Sequence, residues 1–183
     1  RIKKNIDYQN GGTKGKPKFP MPGLHQMLMK YHFYSKDESV LNYLEITLSN
    51  IARGGIYDHL EGGFARYSTD ESWKVPHFEK MLYDNAQLAS LYAQAYLYTE
   101  NESYLRTAEE TLEFLRKRML SEEGIFYSSY DADSEGEEGK YYTWTKEEIE
   151  NTFLKNPNII SDYFGITDEG DIGQRNVLHV DKN

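Results

Sequence analysis

Two successive helical patterns of opposite character constrain this chain more than anything else in it. From near Pro76 or Phe78 to about Thr99, Met81, Leu82, Ala86, Leu88, Ala89, Leu91, Tyr92, Ala93, Ala95, Tyr96 and Leu97 cover much of a helix circumference. A helix apolar on most sides is a buried one. From Asn101 to about Met119 a single stripe is apolar, made of Leu105, Ala108, Leu112, Leu115 and Met119, and the rest is charged. A buried helix followed at once by a half-exposed one fits an inner helix and its outer neighbour, the repeating unit of an (α/α) toroid.

The rest of the chain reads mostly as helix. Residues 1–23 hold Gly11, Gly12, Gly15, Pro17, Pro20, Pro22 and Gly23 and are expected to form an extended linker. A helix is expected over Leu24 to Tyr34. A second starts at an Asp37 cap, carries Val40, Leu41, Leu44, Leu48 and Ile51 at helical spacing, and stops at Gly54-Gly55. Within the Gly54–Ser72 loop, IYDHL and FARYS read as short extended pieces. Near 124–145, GIFYSSYDAD and KYYTWT read as two strands of a small β-hairpin around an acidic turn. Short helices over Lys146–Phe153 and Ile159–Phe164, and a strand over Asn176–Val180, complete the pattern. The expected fold is all-α: 24–183 form the first part of an (α/α) toroid with a β-hairpin insertion, and there is no second domain.

Chemistry concentrates between Gly54 and Asn85, in GGIYDHLEGGFARYSTDESWKVPHFEKMLYDN. Histidine suits proton transfer near neutral pH, and carboxylates suit hydroxyl binding. If the helix already includes His77, then His77 and Asp84, seven apart, share one of its faces and make an acid/base or sugar-binding pair. By helical phase Glu79 points away from His77. The plainer reading pairs Lys80 or Arg66 with Asp84 and leaves His77 to cap the helix. Asp58 and His59 are either turn formers or an acid–histidine pair, with Asp58 orienting His59 or His77. Arg66 and Tyr67 are candidates for a clamp, Trp73 for an aromatic floor and Asn85 for a further polar contact. Most of the 16 tyrosines must be packing residues.

Three segments resemble the YyaL-like, thioredoxin-domain-containing proteins, the spermatogenesis-associated protein 20 family: KPKFPMP at Lys16–Pro22, the Gly54–Asn85 run continuing into AQLA, and GIFYSSYDADSEGEEGKYYTWTKEEI at Gly124–Ile149. The resemblance implies a helical domain similar to the six-hairpin toroids of sugar epimerases and glycosidases, following a thioredoxin-like domain. It also implies that Asp131 and Asp133 face the cavity from a hairpin over the toroid mouth. The same turn read as a calcium loop fails, because its twelfth position is Tyr142 where a bidentate glutamate is required.

Composition narrows the alternatives. At about 12 residues per helix, a full toroid of twelve helices needs roughly twice this length, so the 183 residues are expected to be a central fragment of a longer protein. With no cysteine, no thiol chemistry resides here. Residues 1–30 carry seven Lys/Arg and one acid, a balance of +6, and the remainder carries 14 and 29, or −15, giving the total of −9. An acidic body argues against nucleic acid as partner, and the basic start reads as a solvated linker. There is no apolar run of membrane-spanning length and no signal-like start, so the expected location is cytoplasmic. His25 and His32 are too far apart for a metal pair, and neither a metal nor a cofactor is expected.

The functional expectation is a carbohydrate-active domain of isomerase, epimerase or glycosidase type. His77, Asp84, His59 and Asp58 are its catalytic candidates; Arg66, Tyr67, Trp73, Asn85, Asp131 and Asp133 are expected to bind substrate. The alternative is a non-catalytic binding or scaffold module serving the thioredoxin-like domain. A partial toroid would also expose an apolar edge able to pair two copies.

Overall fold

A computed structural model describes residues 5–153 and 155–180. Four long helices form its body: α1 (Pro22–Ser35), α2 (Glu38–Arg53), α3 (Leu82–Thr99) and α4 (Glu102–Phe114), the last running into a π-helical turn at Leu115–Met119. Pro22 sits in the first turn of α1, where its missing N–H costs nothing and its fixed φ suits the helix. Asp37 caps α2 by accepting the Ser39 N–H at 3.1 Å, and Asn101 caps α4 through Ser103 N at 3.0 Å. These side-chain caps satisfy donors that no helix can satisfy for itself.

The core lies where α2 and α3 meet the Gly54–Ser72 loop. Ile51, Ile56, Phe64, Leu88, Leu91 and Tyr92 are fully excluded from solvent. The Phe64 and Tyr92 rings stack with centroids 5.4 Å apart and 8° between their planes. The Tyr92 hydroxyl donates to the Leu48 carbonyl at 2.8 Å. At Gly55 the backbone of Lys74 passes so close that a Cβ would lie 2.0 Å from its carbonyl oxygen, so only glycine fits.

Both expected helices are present, but the first is not buried on most sides and the stripe of the second is displaced. In α3, Asn85, Leu88, Ala89, Leu91, Tyr92 and Ala95 are buried, but Tyr83, Ala86, Gln87, Ser90, Gln94 and Leu97 lie exposed along the opposite side. In α4 the buried residues are Tyr104, Thr107, Ala108, Thr111 and Phe114, whereas Leu112 is 56% exposed. Buried threonines rotate the stripe: Thr107 and Thr111 satisfy their hydroxyls on the carbonyls of Ser103 and Thr107, at 2.9 and 2.6 Å, and so pack like apolar residues.

α3 begins at Leu82 rather than near Pro76 or Phe78. Pro76 disfavours helix at the residue before it, and 76–81 run extended. β1 (Tyr67–Ser68) pairs antiparallel with β2 (Pro76–His77), setting Tyr67 opposite His77. β3 (Lys80–Met81) pairs with β4 (Ser129–Tyr130). The expected hairpin is also rearranged, because its two halves do not pair with each other. β5 (Asp133–Ser134) and β6 (Glu137–Glu138) close a tight turn over Glu135-Gly136, both at positive φ, as a two-residue hairpin turn demands. β7 (Thr143–Trp144) pairs instead with β8 (Asn176–Val177). Two short helices, α5 (Lys146–Thr152) and α6 (Pro157–Phe164), fill the interval.

Within the expected basic linker, Lys18 is fully buried and its ammonium meets Asp7 at 2.6 Å and the Gly11 carbonyl at 2.8 Å. Burial raises the Asp7 carboxyl, but Lys18 and the Asn10 and Gln9 amides outweigh it and bring the pKa to about 2. Lys18 is thus a structural cation rather than a solvated one. Its backbone also pairs with Ser68, joining this segment to β1.

Candidate functional site

The extended segment 76–81 carries two different surfaces because side chains alternate across it. His77 and Glu79 project to one side; Phe78 and Lys80 are buried on the other. Glu79, which helical phase set against His77, therefore stands beside it.

On the first side the Tyr67 ring stacks on His77, with centroids 5.1 Å apart and planes at 25°. His77 Nδ1 meets the Glu138 carboxylate at 2.7 Å, and its Nε2 lies 3.7 Å from Glu79. Because Nδ1 faces a carboxylate, it carries the proton, which fixes the ring's orientation and leaves Nε2 toward solvent and Glu79. Arg66 reaches the same Glu79 oxygen at 3.5 Å, and its backbone N–H donates to the Glu79 carbonyl. Asp84, in the first turn of α3, has its carboxyl pushed up to about 6, first by burial; Arg66 draws it down and Glu79 raises it. His77, Arg66, Tyr67 and Asp84 thus share a neighbourhood, but not as one helix face, and Lys80 is not Asp84's partner.

On the second side is a cavity of about 320 Å³ between the 55–61 loop, Phe78, Lys80, the Tyr141–Trp144 stretch and Val177–Leu178. Lys80, 2% exposed, donates to Asp58 at 2.7 Å and to the Gly62 carbonyl at 3.0 Å. Its ammonium lies 4.3 Å from the Phe114 ring centroid and 5.0 Å from that of Tyr142. Burial lowers its pKa, against the pull of Asp58. The other Asp58 oxygen accepts the amides of Leu60 and Glu61, so Asp58 is a turn former that also neutralises a buried cation. It orients neither His59 nor His77. His59 turns Nε2 toward the Arg53 and Gly54 carbonyls, each at 3.1 Å, and burial lowers its pKa.

Four other expected site residues play different parts. Trp73 is fully buried, with its indole N–H on the Asn10 carbonyl at 2.8 Å, and belongs to the core. Asn85 is also fully buried; its amide accepts from Phe64 N at 2.6 Å and donates to the Phe64 and Met81 carbonyls, both at 2.9 Å. The two bonds to Phe64 tie the Gly62-Gly63-Phe64 turn to α3, and the third closes on the start of α3 itself. Asp131 and Asp133 are exposed, and Asp131 accepts the Asp133 N–H at 3.0 Å. The hairpin does bring a carboxylate to His77, but it is Glu138. Gly139 follows at φ 76, where a Cβ would stand 2.5 Å from the Phe78 ring. Glu138, Lys80, Tyr142 and Trp144 escape a sequence reading because only the strand register of 76–81 and 143–144 places them.

No protein-family model matches the chain. Human spermatogenesis-associated protein 20 is 37% identical over 94% of the chain and 24% of its own length. The chain belongs to the spermatogenesis-associated protein 20 family. It spans about a quarter of the length of the family members it matches. Among solved structures, a sugar epimerase from a ruminal bacterium superposes with TM-score 0.62 at 17% identity, over 80% of this chain and 42% of that one. Cellobiose 2-epimerase from Bacillus thermoamylovorans gives 0.60 at 15%, over 93% and 52%. The fold of this family segment is therefore that of part of an (α/α) toroid. Among the described residues no helix is long and apolar enough to cross a membrane, and no three His, Cys, Asp or Glu side chains gather as a metal site would require.

Proposed function

We propose that this segment binds sugars at the His77 surface and moves a proton on them, in the manner of an epimerase or isomerase. The observation that carries the reading is the convergence of three separate elements on one imidazole. Tyr67 of β1 supplies a flat face, Glu138 of β6 holds Nδ1, and Glu79 stands by Nε2 with Arg66 at the same oxygen, while the raised Asp84 carboxyl feels both Arg66 and Glu79. A histidine oriented through Nδ1 by a carboxylate is free to take and return a proton at Nε2. A carboxyl that exchanges its proton near pH 6 is suited to the complementary acid role. The aromatic face and the Arg66 guanidinium suit the apolar faces and oxygens of a sugar ring. The epimerase-like fold supports the same substrate class.

The test is hydrogen exchange into reducing sugars in deuterated water, followed by proton NMR, on wild type and His77→Ala. Loss of the signal of the hydrogen beside the carbonyl carbon is expected with wild type only. Sugar-induced thermal stabilisation without exchange would leave a binding module; neither effect would end the sugar reading.

A further inference from the structure

The cavity on the opposite side of 76–81 takes no part in that chemistry, yet its walls have the character of a binding site. Tyr57, Phe78, Tyr141, Tyr142 and Trp144 line it, and Phe78 and Tyr142 are stacked at 8° and 5.5 Å. The Tyr142 hydroxyl and the Trp144 indole N–H are buried and have no hydrogen-bond partner among the described residues. A buried donor left unpaired costs about 1–3 kcal/mol, so two beside one cavity call for an occupant. His59 also lies on the wall. With Nε2–H committed to two carbonyls, the neutral ring keeps Nδ1 as an acceptor. Each charged group on the wall already has a partner of opposite sign, Lys80 with Asp58 and Glu61 with Arg118, so the cavity holds no unpaired charge for a ligand.

We propose that this cavity is a second binding site, for a single uncharged, oxygen-bearing ring of monosaccharide size, held between aromatic faces and hydrogen-bonded by Tyr142, Trp144 and His59. The class of ring rests on the sugar reading above; the place rests on the cavity alone. About 320 Å³ lies at the small end of ligand sites. Donors from Tyr142 and Trp144 and an acceptor from His59 match hydroxyl and ring oxygens, and the aromatic walls cover the C–H faces.

The two tryptophans of the chain make the test direct, because Trp73 is fully buried outside the cavity while Trp144 lines it. Intrinsic emission and thermal stability are followed while D-glucose, D-mannose or N-acetyl-D-glucosamine is titrated into wild type, His77→Ala, Tyr142→Phe and Trp144→Phe, with benzyl alcohol as a flat ring lacking the polyol. A sugar is expected to shift emission in wild type and in His77→Ala. Tyr142→Phe, which keeps the stacked ring, should weaken binding about five- to tenfold for one lost hydrogen bond, and Trp144→Phe should remove the emission change. The same sugar response without hydrogen exchange would uphold this site while ending the proton-transfer reading. A response lost in His77→Ala but unchanged in Tyr142→Phe would place the sugar at His77 and overturn the inference. So would a response to benzyl alcohol alone, or none to any sugar.

Discussion

Asp84 sits in an environment at odds with its residue type. A carboxyl raised to about 6 by burial takes up a proton on folding between its ordinary value near 4 and that pH. Below the unfolded value both states are protonated and the group costs nothing; as pH rises through 6 the folded state must hold it ionised, and stability falls. Asp84→Asn is therefore expected to gain about 1–2 kcal/mol over wild type at pH 8 and little at pH 4, allowing for partial solvent screening. Urea unfolding at the two pH values measures this, and equal effects would refute the burial argument. His25 has the opposite sign. Burial, set against its backbone hydrogen bonds, depresses it to about 4, so its contribution is full above the unfolded value near 6.5 and fades as pH falls through 4. His25→Gln should flatten the acid limb of the stability profile in that window. Leu112 illustrates the limit of pattern: it completes the stripe by spacing yet is 56% exposed, so Leu112→Lys should change stability by less than about 0.5 kcal/mol.

At the scale of elements, the Asp58–Lys80 pair locks the 55–63 loop to the extended segment that precedes α3. Removing one partner leaves a buried charge uncompensated, so Lys80→Met or Asp58→Leu alone is expected to cost about 3–5 kcal/mol. The double substitution should recover most of that loss, as denaturant midpoints of the three variants would reveal. Additive losses would show that the two charges are not coupled. The helices were legible in the sequence because their signals are local: an Asp37 cap and apolar residues at turn spacing; the Pro22 start of α1, placed in the linker by the sequence reading, was not. The 76–81 segment was not, since Phe78, Lys80, Met81 and Leu82 fit either period over so short a run. What decides for strand is pairing with Tyr67–Ser68 and Ser129–Tyr130, and the second of these partners lies some fifty residues away.

For the whole molecule, the outward side of α1 is the surface to watch. Met27, Tyr31, Phe33 and Tyr34 are each about half exposed or more, at 48%, 50%, 56% and 84%. Several exposed apolar side chains on one short helix favour association. Sedimentation velocity is expected to show concentration-dependent self-association, reduced by Tyr31→Glu with Tyr34→Glu; a monomer at all concentrations would contradict it. The sequence alone establishes that helices dominate, that two of them follow in succession after the Gly54–Ser72 loop, and that chemistry gathers between Gly54 and Asn85. Those properties depend on composition and short-range spacing. Which of these residues share a surface was decided only by tertiary structure: His77 with Tyr67 and Glu138, Asp58 with Lys80, and Trp73 and Asn85 withdrawn into the core. The reason is physical: a one-residue change of strand register reverses every side chain, and what fixes the register here is hydrogen bonding between segments far apart in the chain.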